Sequence, residues 1–260
     1  MIRRVVLIGS GNVAEALART LAATPDLQLV QLWARNAARA AAVADPLGVP
    51  RASEPATLDR TADLYLLAVS DRAVGEAAAA LPIPPDAVVA HTAGSVPLEA
   101  LAAYPRRAIV YPFQSFTAGR AVDLRRVPLF LECADATLWP DLEAFARTLS
   151  DEVHRADSAQ RARIHLAGVF ANNFTNCLYG LAAEVLEPTG FTYDILKPLI
   201  AETAAKAVAA ADPADVQTGP AVRNDRSTID RHLQLLADHP AEQAIYEQIS
   251  QAIWKISKRR

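Results

Sequence analysis

Two rhythms of apolar and polar positions divide the chain. Val5-Val6-Leu7-Ile8 is an unbroken apolar run, and Ala14, Leu17, Ala18 and Leu21 then recur at helical spacing. The pairing of a short apolar run with a helical pattern repeats downstream. Leu29–Trp33, Leu64–Val69, Ala87–His91, Ala108–Tyr111 and Pro128–Glu132 have the composition of buried strands. Val49–Ala52 is a short strand candidate, and Glu152–His154 reads as a last edge strand. Ala37–Ala44, a stretch from near Arg72, and Leu138–Leu149 read as helices, with Ser70-Asp71 placed to cap the second of them. Strands alternating with helices predict a parallel sheet and an α/β class.

The strand signal stops near Asp157. Ala159–Glu187 forms one long helical pattern, broken at Pro188-Thr189-Gly190, and Tyr193–Ala211 forms another. Asp212–Arg226 is a polar loop with Gly and Pro. Ser227–Ala237 and Ala241–Ser257 read as two last helices, separated by His239-Pro240. There is no internal repeat and no low-complexity linker. The pattern predicts two domains, 1–156 with the sheet and 157–260 all-helical, packed closely with the active site in the cleft between them.

The first strand runs straight into Gly9-Ser10-Gly11-Asn12-Val13-Ala14. An apolar strand, a glycine turn and an alanine-rich helix stand here in the order that a dinucleotide site requires. Gly9 suits the tight turn, and Gly11 removes the Cβ that would block a pyrophosphate. A helix opening near Asn12 aims free N–H groups and its positive end at phosphate. Ala14 fills the third glycine position, where smallness is enough. The next strand ends in Trp33-Ala34-Arg35-Asn36, with Arg39 one turn on. An acid at this point would take a ribose 2′-hydroxyl, whereas Arg35 suits a 2′-phosphate. The expected cofactor is therefore NADP rather than NAD. The plainer alternative for Arg35 is a solvated cation at the start of a surface helix.

Bulk properties narrow the classes. The 260 residues carry a formal net charge of −3, which gives no electrostatic case for nucleic acid or membrane partners. Cys133 and Cys177 are the only cysteines, and they imply neither a disulfide framework nor a zinc site. No metal is expected. The chain enters a strand at once, leaving no signal peptide, and no apolar stretch suits a membrane span, so a cytoplasmic location is expected.

Ligands of a doubly wound sheet sit beyond the C-terminal ends of its strands. That selects Ser70-Asp71, His91-Thr92-Ala93-Gly94-Ser95 and Tyr111-Pro112-Phe113-Gln114-Ser115-Phe116-Thr117. Val69, Ser70, His91, Thr92 and Gly94 join Gly9 to Val13, Arg35 and Asn36 as cofactor contacts, with Gly94 permitting close backbone approach to the nicotinamide. The alternative for His91 is a hydrogen-bonded structural residue at a strand end. Ser95, Gln114 and Ser115 are candidates for the substrate. On the long helix, offsets of three and four place His165, Gly168, Asn172 and Asn176 on one face, next to Asn173. Either this is an amide network between helices or it faces substrate, with His165 and Asn172 catalytic and Asn173 binding. Arg223, Asn224 and Asp225 are the third group. They form either a surface loop with a capped helix after it or a grip on a substrate carboxylate.

These motifs carry a resemblance. The N-terminal half resembles pyrroline-5-carboxylate reductase, ketopantoate reductase and the deazaflavin-dependent NADP oxidoreductases. The whole chain is similar to a bacterial group of Rossmann-like proteins with an uncharacterised helical C-terminal domain. The shared features are Gly9–Ala14, His91–Ser95, Tyr111–Phe116, His165 with Asn172-Asn173, and Thr218–Asp225. The resemblance implies a Rossmann-type sheet followed by a helical domain like that of 6-phosphogluconate dehydrogenase, a domain often used to form homodimers. In related β-hydroxyacid dehydrogenases a lysine stands where this chain has Asn172, between Gly168 and Asn176. An amide cannot donate the proton for ketone reduction, so the expected reaction shifts towards a C=N substrate, or His165 replaces the lysine as acid. The expected function is NADP-dependent reduction of a small polar, carboxylate-bearing C=N or C=O compound. The alternative is a non-catalytic NADP-binding sensor.

Overall fold

The computed structural model describes residues 1–259. They divide into two compact units, residues 1–173 and 174–259.

The first unit is built on an eight-stranded sheet, in the order β3-β2-β1-β4-β5-β6-β7-β8. Its strands are β1 (Arg4–Ile8), β2 (Gln28–Trp33), β3 (Arg51–Ala52), β4 (Leu64–Leu67), β5 (Val88–His91), β6 (Arg107–Pro112), β7 (Leu129–Cys133) and β8 (Val153–Arg155). Chain order reverses at β1, where β2 lies on one side and β4 on the other. That reversal is the point at which a doubly wound sheet opens a crevice. β6 and β7 pair antiparallel, so the sheet is mixed, which the hydrophobic runs alone did not predict. Apolar runs fit strands covered on both faces: Val5, Leu7, Leu64 and Leu66 enter one core, and Val6, Ile8, Tyr65 and Leu67 the other.

Helices α1 (Asn12–Ala23), α2 (Ala37–Ala44), α3 (Val74–Ala80) and α4 (Trp139–Leu149) belong to this unit. Asn36 caps α2 by accepting the Arg39 N–H at 3.0 Å. Ser70 makes no such bond; a 3-10 turn, Asp71–Ala73, leads into α3 instead. Past the last strand, α5 (Ser158–Gly168) opens on a reciprocal capping box. Asp157 accepts the Gln160 N–H at 2.8 Å, and the Gln160 side chain accepts the Asp157 N–H at 2.9 Å. A π turn, Val169–Phe174, follows directly.

The second unit contains α6 (Thr175–Leu186), α7 (Lys197–Ala209), α8 (Arg226–Leu235) and α9 (Pro240–Ser257). Asp225 caps α8 through the Thr228 N–H at 3.2 Å. Among the described residues, Ala221, Ile229 and Leu236 are the buried apolar side chains of this unit, whereas Phe191, Leu199, Val208 and Leu235 are each well over half exposed. No described helix is long and apolar enough to cross a membrane.

Candidate active site

The glycine turn after β1 floors a cleft of about 780 Å³. Gly9 has φ +129°, and a Cβ there would lie 2.2 Å from the Ala68 carbonyl oxygen, so only glycine passes between β1 and the end of β4. Gly11 differs. A Cβ at that position meets nothing within 4 Å, so it would project into open space at the N-terminus of α1. A phosphate group fits that space, held by the first-turn N–H groups. Ser10, Asn12, Val13, Arg35, Asn36, Val69 and Ser70 line the same cleft, with Asp71, Glu76, Gln114 and Phe116. Arg35 reaches Glu76 at 3.5 Å, and the Arg39 guanidinium donates to the Ser10 carbonyl at 3.1 Å. Two cations thus flank the far end of the turn. The residues fit a dinucleotide.

A smaller cavity of about 210 Å³ lies under the π turn. Tyr111 at the end of β6 and His165 on α5 meet there, with 3.2 Å between the phenol oxygen and Nδ1. Burial raises the Tyr111 phenol above its usual pKa, helped by the Asp71 charge and opposed by Arg161. Tyr111 therefore remains protonated and can donate to Nδ1, which leaves the ring proton on Nε2. Gly94 abuts the pair: a Cβ there would lie 2.6 Å from Tyr111 Cζ and 2.8 Å from His165 Nδ1. Gly168 likewise accepts the Phe113 ring, whose Cε2 would be 2.7 Å from an added Cβ. Gln114, Ser115, Asn172 and Asn173 complete the lining. Gln114 lines both this cavity and the dinucleotide cleft, so the two adjoin.

Beneath them sits a buried charge. Arg161, 1% exposed, forms an ion pair with Glu132 of β7 and donates to the Val96 carbonyl at 2.6 Å. Ser158 donates to both Glu132 oxygens, at 3.1 and 2.8 Å. This network fastens α5 to the sheet and so holds His165 opposite Tyr111.

Residues 3–81 match the oxidoreductase family with an NAD-binding Rossmann fold, and residues 127–253 match a domain of unknown function, DUF2520. Among solved structures, the chain is 37% identical to BF3122 of Bacteroides fragilis, which is provisionally assigned as an NADP oxidoreductase; 98% of each chain is covered, with a TM-score of 0.89. The chain belongs to this family of Rossmann-type oxidoreductases with a DUF2520 domain. Protein TM1727 of Thermotoga maritima is 21% identical over 98% of this chain and 100% of its own, with a TM-score of 0.76. An imine reductase of Streptomyces aurantiacus shares the fold at 15% identity, covering 97% and 94%, with a TM-score of 0.68. The comparison with curated proteins gives no match.

In this oxidoreductase the candidate residues separate into three groups. Gly9 to Val13, Arg35, Asn36, Val69 and Ser70 line the dinucleotide cleft. His165, Asn172, Asn173, Gln114 and Ser115 line the smaller cavity. His91, Thr92 and Gly94 do neither; all three are buried behind the rim. His91 turns inward, and its Nδ1 accepts the Ala93 N–H at 3.2 Å. The space that the missing Cβ of Gly94 leaves is filled by Tyr111 and His165, so its smallness serves that pair. Ser95 is exposed and donates to Asp71. Asp225 spends its carboxylate on capping, accepting Ser227 Oγ at 2.8 Å and Thr228 Oγ1 at 2.8 Å. Arg223, Asn224 and Asn176 belong to the second unit.

His91 carries a pH prediction. Burial, reinforced by the Arg161 charge, holds its pKa down to about 4. The folded state binds its proton more weakly than the unfolded state, whose value is near 6.5. This contribution to stability is therefore complete above the unfolded value and is lost as pH falls towards 4. Urea unfolding followed across that window should show stability falling with pH, and His91→Gln should flatten the slope. An unchanged slope in the variant would refute the assignment.

Proposed function

We propose that this oxidoreductase is an NADP-dependent reductase of a small polar, carboxylate-bearing substrate, acting on a C=N bond in preference to C=O. The adjacency of the dinucleotide cleft and the His165–Tyr111 cavity, joined at Gln114, carries this reading. Bound in the cleft, NADPH would supply a hydride. Gly11 and the α1 N-terminus would hold the pyrophosphate, and Arg35 and Arg39 the 2′-phosphate. The Nε2 proton of His165 would pass to the nitrogen or oxygen of the reduced bond as the Tyr111 hydroxyl proton moves to Nδ1, leaving a phenolate that water reprotonates. Asn172 and Asn173 would orient the substrate, since amides hydrogen-bond without titrating. Two similar structures support the choice: BF3122 is provisionally assigned as an NADP oxidoreductase, and the Streptomyces aurantiacus protein, alike in fold, is an imine reductase.

Arg35→Ala tests the cofactor. It should weaken NADP binding by about 1.5–3 kcal/mol, the scale of a charge-assisted hydrogen bond, and leave NAD almost untouched. Calorimetric titration of both cofactors measures this, and equal losses would exclude a 2′-phosphate contact.

We also propose a homodimer built on the helical unit. The exposure of Phe191, Leu199, Val208 and Leu235 supports it, because so much apolar helix surface is costly to leave in water. Light scattering at micromolar concentration should give twice the chain mass, and a monomer would count against the proposal.

A further inference from the structure

A third cavity, of about 510 Å³, borders the His165–Tyr111 site. Gln114, Ser115 and Asn172 line both. The new space is polar and holds two cations, Arg120 and Arg126, against one carboxylate, Asp123. The arginines of this segment are used differently. Arg125 is committed to structure, donating to the Arg147 carbonyl at 3.2 Å and to Asp151 at 3.3 Å. Asp123 is committed too, accepting the Arg125 N–H at 3.1 Å. Among the described residues, neither the Arg120 nor the Arg126 guanidinium makes a hydrogen bond or ion pair. Two free planar donors therefore face one cavity, beside the site that handles the reacting bond.

We propose that Arg120 and Arg126 form an anion subsite that holds a carboxylate or phosphate of the substrate, while the reducible bond lies between His165 and Gln114. A guanidinium fork matches the two oxygens of such a group, and a pair of forks fixes its direction. The inference rests on the reductase reading for the role of the neighbouring cavity, but the anion site itself does not need turnover. It also moves the grip on the anion from Arg223 in the second unit to the wall of the first.

The test is nitrogen NMR of arginine side chains in the full-length protein saturated with NADPH. Succinate and inorganic phosphate are the probes, titrated separately with ionic strength held by sodium chloride. Arg120→Gln, Arg126→Gln and Arg125→Gln assign the signals. The Arg120 and Arg126 Nε signals should move and saturate with at least one probe, and the lower half-saturation concentration identifies the preferred anion. Arg126→Gln should raise that concentration at least tenfold, and Arg125→Gln should leave it unchanged. Shifts that never saturate with either probe, or that follow Arg125 equally, overturn the subsite. NADPH oxidation is measured in parallel. Saturable binding without oxidation of any substrate keeps the subsite and removes the reductase reading; oxidation with silent Arg120 and Arg126 signals does the reverse.

Discussion

Glu132→Ala is expected to cost the first unit about 3–5 kcal/mol, the usual loss when one partner of a buried ion pair is removed. The penalty arises at Arg161, which is 1% exposed and cannot lose its charge. Without Glu132 its guanidinium keeps only the Val96 carbonyl and Ser158 Oγ, which lie at 2.6 and 3.3 Å. Ser158 would lose an acceptor at the same time. Urea unfolding of the single variant and of Glu132→Leu/Arg161→Met separates the causes. The double variant should recover most of the loss, because an apolar pair of similar volume avoids the desolvation of both charges. A single variant within about 1 kcal/mol of wild type would show that water already screens the pair.

His165→Ala is expected to lower kcat by about 10²–10⁴-fold at neutral and alkaline pH, the range for losing a positioned proton donor. NADPH affinity should hold, because His165 lines the smaller cavity and not the dinucleotide cleft. The pH profile distinguishes a proton donor from a packing residue. An imine arrives already protonated at low pH and then needs no acid, so the deficit should shrink as pH falls. Tyr111→Phe removes the 3.2 Å partner of Nδ1 and keeps the ring. Its effect should run in the same direction, because the phenol supplies the proton that Nδ1 takes up. A deficit independent of pH in both variants would assign the pair to structure.

Much of this was legible in the sequence, for identifiable reasons. The strand–turn–helix at Gly9 to Ala14 and helix Ala37–Ala44 are governed by local chemistry: apolar runs, glycine, and an Asn36 cap. Long-range pairing is not encoded that way. β7 has the same apolar composition as its neighbours, yet it runs antiparallel to β6. In sequence, nothing distinguishes Arg161 from a solvent-facing cation on a helix. Only its placement over Glu132 and Val96 makes it a buried anchor. A strand-end histidine such as His91 looks the same in sequence whether its ring turns outward or into the core, and here it turns into the core. The polar stripe on the long helix was visible as spacing, but the π turn over Val169–Phe174 was not. That wider turn presents Asn172 and Asn173 together to one cavity, which regular helical offsets do not predict.

The proposed reaction is hydride transfer from NADPH in the larger cleft to a C=N bond in the adjoining cavity. Its most direct test is loss of nicotinamide absorbance when the purified protein meets a panel of substrates. The panel holds a cyclic imine with a carboxylate, the same imine without it, a ketone and an aldehyde, each offered with NADPH and with NADH. NADPH should be oxidised in preference to NADH, fastest with the imine carboxylate. Tight NADPH binding with no oxidation on any member of the panel would contradict it, and would leave a dinucleotide-binding protein that senses its ligand without reacting.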